Sequence, residues 1–223
     1  MPTSNTRTSR SGPTRLLGGV SVSDTPVIRE ALEYARKHSE PYLYNHAVRS
    51  WLFAVRLGQL QQVAHDHEVV AVASLLHDIG LTAGVSGPRR FEIEGADVAR
   101  VFAQSRGLDD RRTQLVWDTV ALNSTPSIAL YKEAEVALCT AGIGLDWGGA
   151  GYDRFPPNEL QAILAAFPRL GMKQAFTDAV CRICAIRPET TYDNFAGDFG
   201  ERFVPGYRRR SVVDYLMNAP FEE

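Results

Sequence analysis

The chain has 223 residues, 44% hydrophobic and 22% charged, with 24 basic against 26 acidic side chains and a formal net charge of -2. That length describes one sizeable folded core, and the near-neutral balance provides no general field for nucleic acid or an anionic membrane. No run approaches the roughly 18–20 apolar residues of a membrane span, and three cysteines, an odd number, argue against a disulfide framework and suit a reducing cytoplasm.

Residues 1–20 read as a polar, disordered leader, and residues 21–223 as a single helical domain. Thr25-Pro26 is a helix start, with Thr as N-cap and Pro at the first position, and Val27, Ile28, Ala31, Leu32 and Ala35 recur at helical spacing to about Lys37. Pro41 breaks that helix. A second pattern from about Tyr44 places Val48, Trp51, Leu52 and Val55 on one face until Gly58, with His46 in its first turn. The third, Glu68 to Asp78, is apolar all round and therefore buried. A Gly- and Ser-rich loop, Thr82 to Arg90, leads to helices over Glu92–Ser105 and from Asp109 or Asp110 through Ala121. Lys132–Leu145 is another buried helix ending at Asp146, followed by helices at Pro157–Phe167, Lys173–Ile186 and Ser211–Asn218. With no strand alternation of useful length, the expected fold is all-α, a helical bundle.

The apolar run Val69–Leu76 closes on His77-Asp78, and His46 stands 31 residues earlier. Adjacent residues on a helix point about 100° apart, so a His-Asp pair at a helix end can grip one cation from two directions. Cys181 and Cys184 form a C-x-x-C inside a helical pattern and read as core or near-surface residues. His65 and His67 lie in a polar connection and take no role, and Arg208-Arg209-Arg210 is too short a basic run to argue for nucleic acid.

The order His46, His77-Asp78, Asp146 resembles the HD-domain superfamily, whose metal site follows H…HD…D on buried helices. The local text Tyr42–His46, Leu75–Thr82, Phe91–Ala96 and Glu135–Asp146 is similar to the cyanamide hydratase branch of it, over residues 25 to 215. The resemblance implies an HD-type bundle in which His46, His77, Asp78 and Asp146 hold one divalent ion, zinc by analogy with that branch. The ligand set alone is equally compatible with iron, manganese or nickel. It further implies a hydro-lyase in which hydroxide generated on the metal adds to a small nitrile such as cyanamide, giving urea, with Asp78 shuttling the proton. Many relatives carry histidine where this chain has Asn123, so no second ion is expected, and Asn123 is assigned to orienting substrate or water. Tyr44 and Trp147, each within two residues of an expected ligand, are assigned as pocket walls that contact substrate.

The enzymatic alternative is an HD-type phosphohydrolase acting on a nucleotide or small phosphate ester, with Arg49, Arg89, Arg90 or Lys132 as the cations that reaction requires. A degenerate module that binds without turnover, supported by Asn123, is a third reading. The expected partner is a small-molecule substrate, with no nucleic acid and no membrane, and a homo-oligomer is compatible with the sequence.

Overall fold

In a computed structural model, residues 12–221 are described, and of these the chain is predominantly helical. It opens with a hairpin, β1 (Thr14–Leu17) and β2 (Val20–Ser23). Eleven α-helices follow: α1 (Pro26–His38), α2 (Pro41–Gln61), α3 (His67–Leu76), α4 (Phe91–Ser105), α5 (Asp110–Ala121), α6 (Pro126–Ala129), α7 (Ala134–Gly148), α8 (Pro157–Ala166), α9 (Met172–Ile186), α10 (Ala196–Phe203) and α11 (Val212–Met217). No helix among the described residues is long and apolar enough to cross a membrane.

The hairpin corrects the expected leader. Residues 1–11 lie outside the described residues, but Thr14 to Ser23 form an antiparallel pair in the register Leu17↔Val20. Its two-residue turn is Gly18-Gly19, both at positive φ (53° and 83°), the backbone that right-twisted strands require and glycine supplies at no steric cost. Val20 and Val22 alternate with Ser21 and Ser23 and bury one face against the main core, which ties this segment to the helices.

Thr25 caps α1 as expected, accepting a hydrogen bond from the Ile28 amide. Helix α2 differs at both ends. Pro41 is its first residue rather than a breaker, since a proline at the first position loses only an amide that has no helical partner. Gly58 does not end it. The helix continues to Gln61 and stops where Gln62 turns left-handed at φ 56°, and a Cβ on Gly58 would come within 2.9 Å of the His65 ring, so this glycine makes room for a neighbour.

The main core joins α2, α3, α4, α5 and α7 around Trp51, Phe53, Leu52, Leu76 and Val116. A second cluster gathers Tyr42, Leu43, Phe91, Met172, Phe176 and Val180 where α9 and α10 cover one end of α2. Helices α2 and α7 meet backbone to backbone at Gly142, whose added Cβ would lie 2.4 Å from the Ser50 carbonyl oxygen and 2.7 Å from the Ala54 amide nitrogen. Because backbone cannot step aside as a flexible side chain can, Gly142→Ala is expected to lower the unfolding free energy by about 3 kcal/mol, read by chemical denaturation.

Helix α3 is fixed at its start by Asp66, whose carboxylate accepts from the Glu68 and Val69 amides and from Arg112. Burial alone would raise the Asp66 pKa, but Arg112 and the two amides outweigh it and lower it. A depressed carboxyl contributes stability above its unfolded pKa and loses it as pH falls through the folded value. Asp66→Ala should therefore cost about 1–2 kcal/mol at neutral pH, and denaturation curves of variant and wild type should converge as pH drops below about 4.

Candidate metal centre

His46 lies in the second turn of α2, and His77 follows the last residue of α3 with helical dihedrals still in place. Asp78 leaves that geometry (φ -105°, ψ 13°) to begin a 3-10 turn over Ile79–Leu81. The change of direction brings its carboxylate back beside the His77 ring, with Oδ2 3.1 Å from His77 Nε2 and 3.4 Å from His46 Nε2. The two Nε2 atoms are themselves 3.1 Å apart, and all three residues are buried.

The outer nitrogens decide the tautomers. His77 Nδ1 lies 2.8 Å from the Ser74 carbonyl oxygen, which can only accept, so Nδ1 carries the proton. His46 Nδ1 lies 2.6 Å from Asp146 Oδ2 and donates to that carboxylate. Both Nε2 atoms are then left with lone pairs, facing each other and a carboxylate oxygen that receives no well-formed hydrogen bond although it is buried. Three converging acceptors repel unless a positive charge sits among them. Tetrahedral zinc, with bonds of about 2.0–2.2 Å, sets its donors about 3.3–3.5 Å apart, close to the spacings found. The residues fit one cation.

The titration tendencies have the same cause. Burial opposes a charge on His46, yet the neighbouring Asp146 and Asp78 carboxylates outweigh that and raise its pKa. Burial would raise Asp78, but the His77 and His46 rings hold it well below the usual carboxylate range. The centre favours added positive charge, whether proton or metal.

Asp146, expected as the fourth ligand, takes a different place. It faces the outer nitrogen of His46, and Arg49 grips both its oxygens, Nε to Oδ1 at 2.6 Å and Nη2 to Oδ2 at 2.8 Å. Burial tends to raise its pKa, while His46 and Arg49 hold it down to about 2. The reason is rotational. Thr140, Ile143, Gly144 and Trp147 form the i, i+3, i+4, i+7 stripe of α7 that borders the open space beside the centre. Asp146 sits about 120° round the helix from Thr140, on the side of Gly142 that abuts α2. Asp146 lies in the last turn of α7, which runs on to Gly148.

That open space is a cavity of about 270 Å³, floored by His46, His77 and Asp78. Asn123, Ser124 and Thr140 supply polar groups, and Ile143, Trp147, Phe176 and Phe195 form an apolar wall. Asn123 and Trp147 border the cavity. Tyr44 does not. Two residues from His46 on one helix means about 200° of rotation, and Tyr44 lines a separate surface hollow with Arg15, Arg29 and Arg36. Sequence reasoning missed Thr140, Phe176 and Phe195. A threonine inside an apolar helix and phenylalanines on helical and loop segments carry no chemical signature, and only the i–7 spacing from Trp147 marks Thr140.

The outlying motifs stay outside the centre. His65 and His67 pair with each other at 3.2 Å, Cys184 donates to the Ala196 carbonyl, and all three cysteines are free. Neither protein-family models nor curated proteins yield a match to this chain.

Three candidate ligands and one carboxylate behind them predict distinct variants. With zinc added as the probe ion, His77→Ala or Asp78→Ala should abolish its uptake. Asp146→Asn, which keeps an oxygen for His46, should still take up zinc, with affinity reduced by roughly 10–100-fold, measured by competition with a fluorescent chelator. Loss of all metal from a folded Asp146→Asn protein would make Asp146 a ligand.

Proposed function

We propose that this protein is an HD-type metalloenzyme, similar to cyanamide hydratases, that adds water to a small uncharged nitrile or related unsaturated nitrogen compound. The observation that carries the reading is the meeting of three lone-pair donors, His46 Nε2, His77 Nε2 and Asp78 Oδ2, at the floor of a small cavity with no other ionised wall. His46, His77 and Asp78 would hold the ion, for which zinc suits two imidazoles and one carboxylate with further positions open. Such an ion, when bound, supplies Lewis acidity and makes water nucleophilic at neutral pH.

The chain's own residues supply the rest. Asp146, fixed by Arg49, keeps the His46 proton on Nδ1 and so keeps Nε2 a donor to the metal. Trp147, Phe176 and Phe195 give the cavity an apolar wall that favours a compact substrate; at about 270 Å³ the cavity is at the lower end of ligand pockets, which run roughly 300–1,000 Å³. Asp78, at the cavity floor, takes the proton released as water adds and returns it to the substrate nitrogen. Its depressed pKa means that proton is held only transiently.

Cations distinguish this reading from phosphoryl chemistry. Among the described residues no Arg or Lys lines the cavity. Each cation that a phosphate ester would need is engaged elsewhere: Arg49 with Asp146, Arg89 with Glu94 and Asp97, Arg90 with Glu92, and Lys132 with Asp118. A transferring phosphoryl group would lack the charge stabilisation that the reaction depends on.

Zinc-loaded protein incubated with cyanamide should form urea, lose that activity on chelation, and regain it with zinc. The same preparation should release no phosphate from a panel of nucleotides. Phosphate without urea would overturn the hydratase reading, and a folded protein that takes up no metal would leave a binding module in its place.

A further inference from the structure

Away from the metal centre, the surface hollow that Tyr44 lines gathers three arginines, Arg15 from β1 and Arg29 and Arg36 from α1. The α1 residues arrive by helical spacing, since Arg29, Leu32, Glu33 and Arg36 form one i, i+3, i+4, i+7 stripe. Arg15 arrives by strand register. It stands opposite Val22 as Leu17 stands opposite Val20, and cross-strand partners share a face, so Arg15 lies on the side of the hairpin where both valines are buried, while Leu16 points away and is 74% exposed. A strand with one buried face ordinarily turns its leucine in and its charge out. At residues 15 and 16 the order is reversed, and the cation faces the hollow.

These arginines lack the close partners that others in the chain have. Arg15 Nε is buried and makes no hydrogen bond, and Asp24 Oδ1, 3.5 Å from it, is likewise without one. Asp24 is also 3.2 Å from Arg29, and Glu33, which lines the hollow too, is 3.5 Å from Arg36. Each guanidinium carries five N–H donors, yet among the described residues the three make one hydrogen bond, from Arg29 to the Asp24 backbone carbonyl. By contrast, Arg112 meets Glu68 at 2.6 Å and Arg56 meets Glu159 at 2.7 Å. Three cations against two carboxylates leave one positive charge unmatched, and residues 1–11 bring two further arginines and no acidic side chain. Leu17, Leu32, Tyr44 and Phe167 give the hollow an apolar floor, and its volume of about 380 Å³ lies in the range of ligand pockets.

We infer that this hollow is a second ligand site, built for a small organic anion whose carboxylate or phosphate head is held by Arg15, Arg29 and Arg36 and whose apolar body lies on the floor beneath them. Guanidinium forks match both heads in geometry and charge. The inference does not rest on the hydratase reading, because the hollow lies on the side of α2 turned away from His46. It touches the support of the metal centre at one point, where the Phe167 carbonyl accepts from Arg49, the residue that grips Asp146.

The test titrates full-length protein by calorimetry in low-salt buffer with benzoate, phenyl phosphate, benzamide and acetate, with and without added zinc. Benzoate or phenyl phosphate should bind once per chain, equally well in either case, and whichever binds more tightly identifies the head group. Benzamide keeps the ring and shape without the charge, acetate keeps the charge without the ring, and each should bind at least about tenfold more weakly. Arg15→Gln and Arg36→Gln should each weaken the favoured anion about tenfold. The Arg36 side chain is 67% exposed, so its variant should keep the wild-type melting temperature and test the site with the fold intact. Anion binding that is absent, that requires zinc, or that both glutamine variants leave unchanged overturns the inference. So does benzamide or acetate bound as tightly as benzoate, since the arginines or the floor would then take no part.

Discussion

The buried ion pair between Arg49 and Asp146 is the constraint on which the rest of the structure depends. Removing two charges from water costs several kcal/mol per ion, and such a pair persists only where every remaining donor and acceptor is met. Here they are met: Arg49 grips both carboxylate oxygens and sends its other terminal nitrogen to the Phe167 and Pro168 carbonyls, while Arg169 adds a hydrogen bond to the Asp146 carbonyl. The pair therefore fastens α2 to α7 and both to the turn after α8. It can form because Gly142 lets the two backbones touch.

Its consequence for the centre is electronic. An ionised Asp146 accepts the proton of His46 Nδ1, as the Ser74 carbonyl accepts that of His77, and the two inner nitrogens are left as donors toward the same point. Low dielectric around them strengthens both their mutual repulsion and their attraction for a cation. The cavity above adds walls with no second charge. In the proposed reading a cation held there would polarise a neutral substrate, whereas a phosphate ester would need counter-charges, and Arg49, Arg89, Arg90 and Lys132 are each paired with carboxylates.

The helical class, the starts of α1 and α8, and the His46, His77-Asp78 grouping were legible in the sequence, each for a local reason. Threonine before proline caps a helix wherever it stands, periodic apolar residues bury a face, and a His-Asp pair at the end of an apolar helix has few structural uses. The hairpin was legible too, in Leu16-Leu17-Gly18-Gly19-Val20-Ser21-Val22, where a glycine pair joins two short runs with alternation in the second, but a polar leader obscured it. Gly58 and Pro41 carried signals of the opposite meaning to the one they have, because a glycine can open space and a proline can begin a helix as readily as end one.

What the sequence determined by itself is which residues can ligate a metal and which stretches coil into helices, since both are properties of side-chain chemistry and short-range spacing. Which face each helix turns to the centre was decided only by tertiary packing. A rotation of one or two positions exchanges ligand for support and wall for surface: it turns Asp146 to the back of His46, sends Tyr44 away from the cavity and brings Thr140 into it. That rotation is set where α7 presses on α2 at Gly142, a contact between residues about ninety positions apart that no local pattern records.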